Sequence, residues 1–168
     1  MTNVDLITYA TFGYMACGVF ALTAYVATSQ GSRMRQAVLV ALLIVWAIHT
    51  AAIGLRWIES YQMGIGHAPL SNLYESLVFF AWSVALVLII VGYRFRADII
   101  VLLGLPGVFL IMAWTFLLDH NIRPLIPALQ SNWLVAHVIT CFLGYACFAI
   151  SFVAAIALLL ADKSDSVG

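Results

Sequence analysis

Five apolar stretches, each long enough to cross a bilayer, leave this chain little choice of fold. They run over residues 6–27, 37–55, 73–91, 99–118 and 133–161, and a spanning helix needs about 20 mainly apolar residues. In hydrocarbon the backbone N–H and C=O groups have no water to bond, so each stretch must be a helix or part of a closed barrel. Barrel strands are about ten residues long and alternate apolar with polar side chains. These stretches are longer and do not alternate. The expected fold is therefore all-α: a polytopic membrane bundle of five transmembrane helices, with residues 1–168 as a single transmembrane domain. Charged residues make up 8% of the chain, against roughly 25% in a soluble domain, and mean hydropathy is +1.09. Membrane lipid is thus the expected surrounding, and a net charge of zero gives no electrostatic basis for nucleic-acid binding. The first stretch lacks a basic leader and is too long for a signal-peptide core, so it reads as a retained anchor. The fifth exceeds a single span and is expected to tilt or project.

Basic residues near helix ends set orientation. Arg33, Arg35, Arg94, Arg96 and Lys163 fall in one set of connections, and only Arg56 and Arg123 in the other. This asymmetry places the first set in the cytoplasm and the N-terminus outside, together with the loops that carry His67 and His120. Trp57, Tyr61, Tyr74, Trp114 and Trp133 fit an aromatic belt at the outer interface. Trp46 and Trp82 lie deeper and read as packing residues. Gly104-Leu105-Pro106-Gly107 is expected to kink the fourth helix.

Between the second and third stretches lies a polar island, Gly-His-Ala-Pro-Leu-Ser-Asn-Leu-Tyr-Glu-Ser from Gly66 to Ser76. Asn72 with Glu75 three residues later is the pattern of a capping box, and the helix start it makes carries partial positive charge suited to an anion. Glu75 completes that cap, bonds a ligand or pairs with an outer arginine.

Four histidines require separate weighing. His67 lies in the outer loop. His120, beside Asp119, reads as a solvated or ion-paired surface residue. His137 stands one turn into the fifth helix, about 6 Å below its start, and His49 about 10 Å deep in the second. An ionisable residue in a membrane helix is costly to bury and marks function by default. The alternative is an imidazole hydrogen-bonded to a neighbouring helix. For His49 both readings stand, whereas His137 shares the outer face with His67 and points to function. Together the outer histidines could hold a metal, the aromatics could cover ring faces, and Arg56 or Arg123 could meet carboxylates, a set that suits haem. Cys17, Cys141 and Cys147 form no Cys-x-x-Cys pair and read as small buried apolar residues.

The island, preceded by Leu55-Arg56-Trp57, resembles the system II cytochrome c biogenesis family called CcsA (CcsB or ResC in some lineages). A second match is Ile126-Pro127-Ala128-Leu129-Gln130-Ser131-Asn132-Trp133-Leu134, continuing to His137-Val138. The resemblance implies a multi-pass protein of the bacterial cytoplasmic (inner) membrane that presents haem b at the outer face. With a CcsB-type partner, such proteins attach haem to Cys-x-x-Cys-His apocytochrome c. The family holds the iron between external histidines, and His137 matches the first of that pair. His137, His67 and Trp133 are then the expected haem-binding residues, with His137 on the metal. The family's tryptophan-rich segment, later helices and second external histidine do not occur in these 168 residues. The expectation is a piece, split half or shortened relative, working with a CcsB-type partner or the missing C-terminal half and not catalytic alone. The alternative is a scaffold or regulator like the HemX-type relatives. A small-molecule transporter finds no support, since no inverted repeat is visible.

Overall fold

The computed structural model describes residues 2–27, 32–125 and 131–165. They form five helices: α1 (Asn3–Val26), α2 (Ser32–Gln62), α3 (Leu73–Phe95), α4 (Asp98–Thr115) and α5 (Asn132–Asp165). All five are long and apolar enough to cross a membrane, which makes this a multi-pass membrane protein. Residues 126–130 of the second motif and the side chain of Lys163 lie outside the described residues.

The first four helices close a ring: α1 packs on α2 and α4, and α3 packs on α2 and α4. Helix α5 leans on α3 and α4 from outside. The ring encloses a core in which Tyr14, Leu42, Leu88, Leu105 and Met112 are fully buried. In contrast, α5 buries little beyond Ala146 and Ile150, with Phe142 set against Phe79 and Phe80 of α3. Without a hydrophobic drive between helices in lipid, close packing relies on small residues. A Cβ at Gly92 would lie 2.7 Å from Leu39 and 2.8 Å from Val101, whereas one at Gly107 would meet nothing. Gly92→Ala is therefore expected to cost about 1–3 kcal/mol by overpacking. Gly107→Ala, on an open helix face, should be neutral or mildly stabilising. Unfolding in detergent with matched variants checks this, and equal effects at the two sites would contradict it.

Helix two differs most from expectation. It was expected to end at Leu55 but runs to Gln62, because no glycine or proline stands between Leu55 and Gly64. Arg56 therefore lies inside α2, not in a connection. Helix α4 continues through Pro106, which costs a backbone donor but leaves the helix unbroken. Trp46 and Trp82 are packing residues as expected. Their rings stack at 5.1 Å, and their indoles donate to the Trp82 carbonyl and the Thr50 hydroxyl respectively. His49 follows the hydrogen-bonded alternative: it is fully buried, with Nδ1 3.1 Å from the Tyr14 hydroxyl of α1. The cysteines depart in part from the buried reading. Cys17 is buried, but Cys141 is only half-buried and Cys147 is exposed on α5, since that helix has a neighbour on one side only.

Arg35 and the pair Arg94 and Arg96 meet at one end of the bundle, and Asn3, Arg56, Glu75 and His120 meet at the other. Positive charge collects on the cytoplasmic side, so the second end is expected to face outward. A phosphatase reporter that works only outside the cytoplasm should be active when inserted after Gly64 and silent after Arg96. The reverse pattern would invert the topology.

Candidate functional site

The outer end is organised around a buried ion pair. Nε of Arg56 donates to Oε1 of Glu75 at 2.8 Å, and the two residues are 3% and 2% exposed. Nη1 of the same guanidinium donates to the His120 carbonyl at 2.9 Å and lies 3.4 Å from Oδ1 of Asn3. The guanidinium also sits over the Tyr74 ring, 5.0 Å from its centre. Asn3 in turn donates its backbone N–H and its side-chain amide to Glu59. One arginine therefore ties together the start of α1, the last turns of α2, the start of α3 and the loop after α4.

The capping box forms by half. The Asn72 side chain accepts from the Glu75 N–H at 2.9 Å, but the Glu75 carboxylate does not return to Asn72. Its Oε2 instead accepts from the Ser71 N–H and hydroxyl, at 2.7 and 2.6 Å, while Oε1 is held by Arg56. Of the three roles open to Glu75, the structure shows pairing with the arginine. Two expectations are corrected as a consequence. Arg56 is committed to Glu75 and buried, so it is not displayed for an external carboxylate. Tyr74 is 3% exposed and belongs to the core beneath Arg56, not to the interfacial aromatic belt. Trp57, Tyr61, Trp114 and Trp133 do stay exposed.

The loop bearing His67 is wrapped on Ser60. The Ser60 carbonyl accepts from the N–H groups of Ile65 and Gly66, and its hydroxyl accepts from the His67 N–H. Gly64 and Gly66 have φ of 74° and 64°, a region that side-chain-bearing residues enter at a cost. This turn delivers the His67 ring to two carbonyls: Nδ1 lies 2.8 Å from the oxygen of Ala68, and Nε2 lies 2.8 Å from that of Arg123. A neutral imidazole donates through one nitrogen only, yet both nitrogens here face backbone acceptors. His67 thereby bridges the two outer loops.

His120 was expected to be solvated or ion-paired, and it follows the solvated reading. Asp119 pairs with Arg123 and accepts from the backbone N–H and side-chain amide of Asn121. The Asn121 N–H and the Arg123 guanidinium hold the Asp119 carboxyl below its ordinary range. The His120 ring stays exposed near Tyr74.

Between the His67 loop and the start of α5 lies a cleft of about 420 Å³, walled by Trp57, Tyr61, His67, Leu125, Asn132 and Val135. Its size falls within the range of small-molecule sites. Trp133 and His137 stand on the outward face of α5, Trp133 at 87% exposure. Among the described residues the ring of His137 finds a polar partner only in the Cys141 sulfur, 3.6 Å from Nε2 and 4.0 Å from Nδ1. No hydrogen bond joins His137 to His67. Among the described residues no three His, Cys, Asp or Glu side chains converge to hold a metal.

Residues 70–166, from the polar island to the end of α5, match the family described as cytochrome C assembly protein. The chain belongs to the cytochrome c assembly protein family. Cytochrome c biogenesis protein CcsA of Parasynechococcus marenigrum (strain WH8102) is 35% identical over 170 residues, covering 97% of this chain and 53% of that protein. The protein of the same name from Synechococcus sp. (strain CC9605) is 35% identical, covering 99% of this chain and 54% of its own length. That of Chlorella vulgaris is 40% identical over 118 residues, 68% of this chain and 36% of the relative. The chain thus spans about half or less of the length of these curated relatives. The matched stretch of the family takes in Glu75, Arg123 and His137.

Sequence reading missed the Ser60 anchor and the burial of Arg56 within α2, though pairing of Glu75 with an outer arginine was among the roles it left open. Their signal was the unbroken run Trp57-Ile58-Glu59-Ser60-Tyr61, which holds no helix breaker. It puts Arg56 and Ser60 one turn apart on the same helix face.

Proposed function

We propose that this chain presents haem b at the outer face of a bacterial cytoplasmic membrane during cytochrome c maturation. In this reading haem is cargo, bound on the outward face of α5 with His137 on the iron. One observation carries it. His137 is exposed within a membrane-crossing helix, and among the described residues its ring nitrogens bond only to a thiol. A bare imidazole facing hydrocarbon is costly, and a flat apolar ligand that takes a nitrogen lone pair would relieve that cost. Trp133, one turn above on the same face, offers a ring to stack on. Arg123, with a side chain 72% exposed, is the outer arginine within reach of carboxylates. His67 contributes a wall of the neighbouring cleft, since both its nitrogens are engaged by carbonyls.

The names of these relatives, all cytochrome c biogenesis proteins, support the process. Apocytochrome c is then the acceptor. A CcsB-type chain or the remainder of a family-length protein is then the partner that supplies further iron ligands. The engagement of the other candidate haem histidine, His67, by the carbonyls of Ala68 and Arg123 favours a second reading, in which the chain scaffolds the assembly as HemX-like relatives do.

Purification of the complete membrane assembly tests the choice. Haem should co-purify with it, visible as a Soret band, and should be handed to a co-expressed apocytochrome. An assembly that matures cytochrome c without ever carrying haem would overturn the reading and leave the scaffold.

A further inference from the structure

At the opposite end of the bundle, three arginines share one groove. Arg35 stands in the first turn of α2, Arg94 in the last turn of α3, and Arg96 at the C-cap of α3. They line a groove of about 480 Å³ together with Gln36, Leu39 and Tyr93. None of the three has a carboxylate within ion-pair distance among the described residues; the pairs formed there are Arg56–Glu75 and Arg123–Asp119.

Ordinary helix electrostatics explains part of this arrangement. Arg94 and Arg96 sit at the C-terminal end of α3, where cations are favoured. Arg35 does not fit that account. It stands at the N-terminal end of α2, where the helix already carries partial positive charge, and that first turn has no acidic residue. The backbone adds a second departure. Arg96 has φ of 55°, a left-handed conformation that glycine adopts freely and other residues pay for. The turn folds α3 back into α4 with the third arginine on the groove. Beneath the charges the walls are apolar. Leu39 packs on Gly92, whose missing side chain lets α2 and α3 approach, and so floors the groove. Tyr93 stands 80% exposed beside it.

We propose that this groove is a binding site for the headgroup of an anionic phospholipid, its phosphodiester among Arg35, Arg94 and Arg96 and its upper acyl chain along Leu39 and Tyr93. Arginines that form no ion pair among the described residues, at the polar edge of a membrane-crossing bundle and above an apolar floor, match that amphipathic molecule in charge and in position, although Asp98 of α4 lines the adjoining cavity with Arg35. Basic pockets between transmembrane helices recognise lipid headgroups in this way, and arginine forms paired hydrogen bonds to phosphate oxygens. The site lies at the opposite end from His67 and His137 and is independent of the haem reading.

The test uses the purified protein in nanodiscs of phosphatidylcholine with a fluorescent phosphatidylglycerol as probe, so that membrane orientation plays no part. Arg35→Gln, Arg94→Gln and Arg96→Gln should each weaken probe retention about fivefold, and the triple variant about a hundredfold. Arg33→Gln removes a charge from the same end without touching the groove and should change retention less than twofold. Inorganic phosphate should compete only weakly, because it lacks the acyl chains. Thermal unfolding of each variant in pure phosphatidylcholine discs should match the parent, since these side chains make no internal ion pair. Equal losses for Arg33→Gln and the groove variants would reduce the effect to diffuse surface charge and overturn the site. Full competition by inorganic phosphate would overturn the lipid assignment, and so would retention of the probe by the triple variant.

Discussion

Replacing Glu75 with alanine is expected to destabilise the folded bundle by about 3–5 kcal/mol, the usual consequence of stranding one partner of a buried ion pair. The reason is local and specific. Arg56 is 3% exposed, so its charge cannot turn to water once the carboxylate is gone. The Ser71 N–H and hydroxyl lose their acceptor in the same step. Glu75→Gln should cost nearly as much, because it keeps the shape but leaves the guanidinium uncompensated. The double variant Arg56→Met, Glu75→Leu removes both charges together and should recover most of the loss. Chemical unfolding in detergent micelles measures all three, with the coupling extracted from the double-mutant cycle. The loosening should begin at the outer end, where hydrogen exchange of residues 60–72 should rise first. A Glu75→Ala protein within 1 kcal/mol of the parent would show that the pair contributes nothing net.

The second large effect concerns His137 and rests on the proposed haem reading. His137→Ala in the complete membrane assembly should lower co-purified haem at least tenfold, since a lost axial ligand costs more than the 10–100-fold often seen for outer-sphere partners. Exogenous imidazole should restore the absorption spectrum by filling the vacated coordination position. The variant should fold normally, because the His137 side chain is exposed and its ring bonds within α5, to the Cys141 sulfur. Trp133→Ala should give a smaller loss without a change of ligand signature, and Cys141→Ala should leave the iron coordinated. Unchanged haem content and spectrum in His137→Ala would remove the histidine from the iron and return the chain to a scaffold role. His67 is a poor substitute, because the carbonyls of Ala68 and Arg123 already hold its two nitrogens.

The architecture could be read from the chain because lipid allows so few solutions. An apolar run of twenty residues has to satisfy its own backbone, and a helix is the way to do so. Five such runs therefore fixed five helices. The packing role of Trp46 and Trp82 followed from their depth, and the start of α3 at Leu73 from the Asn72 cap. Residue identity alone also singled out His137 as a polar group in an apolar helix.

What it could not assign was the use to which polar side chains are put, since that depends on which neighbour reaches them. Arg56 looked like the last residue before a loop, because a guanidinium in an apolar run suggests an interface. Only the packing of α3 on α2 places Glu75 within 2.8 Å and makes burial of that charge tolerable. His67 and His120 sit in equally polar loops. Tertiary structure alone decided that the first would clasp two carbonyls and the second would stay exposed. The same holds for the thiols: an apolar helix buries a cysteine only where another helix covers it, and α5 is covered on one side. Hydropathy is a property of each segment and so survives in the sequence. Pairing is a property of two segments, and it exists only once they meet.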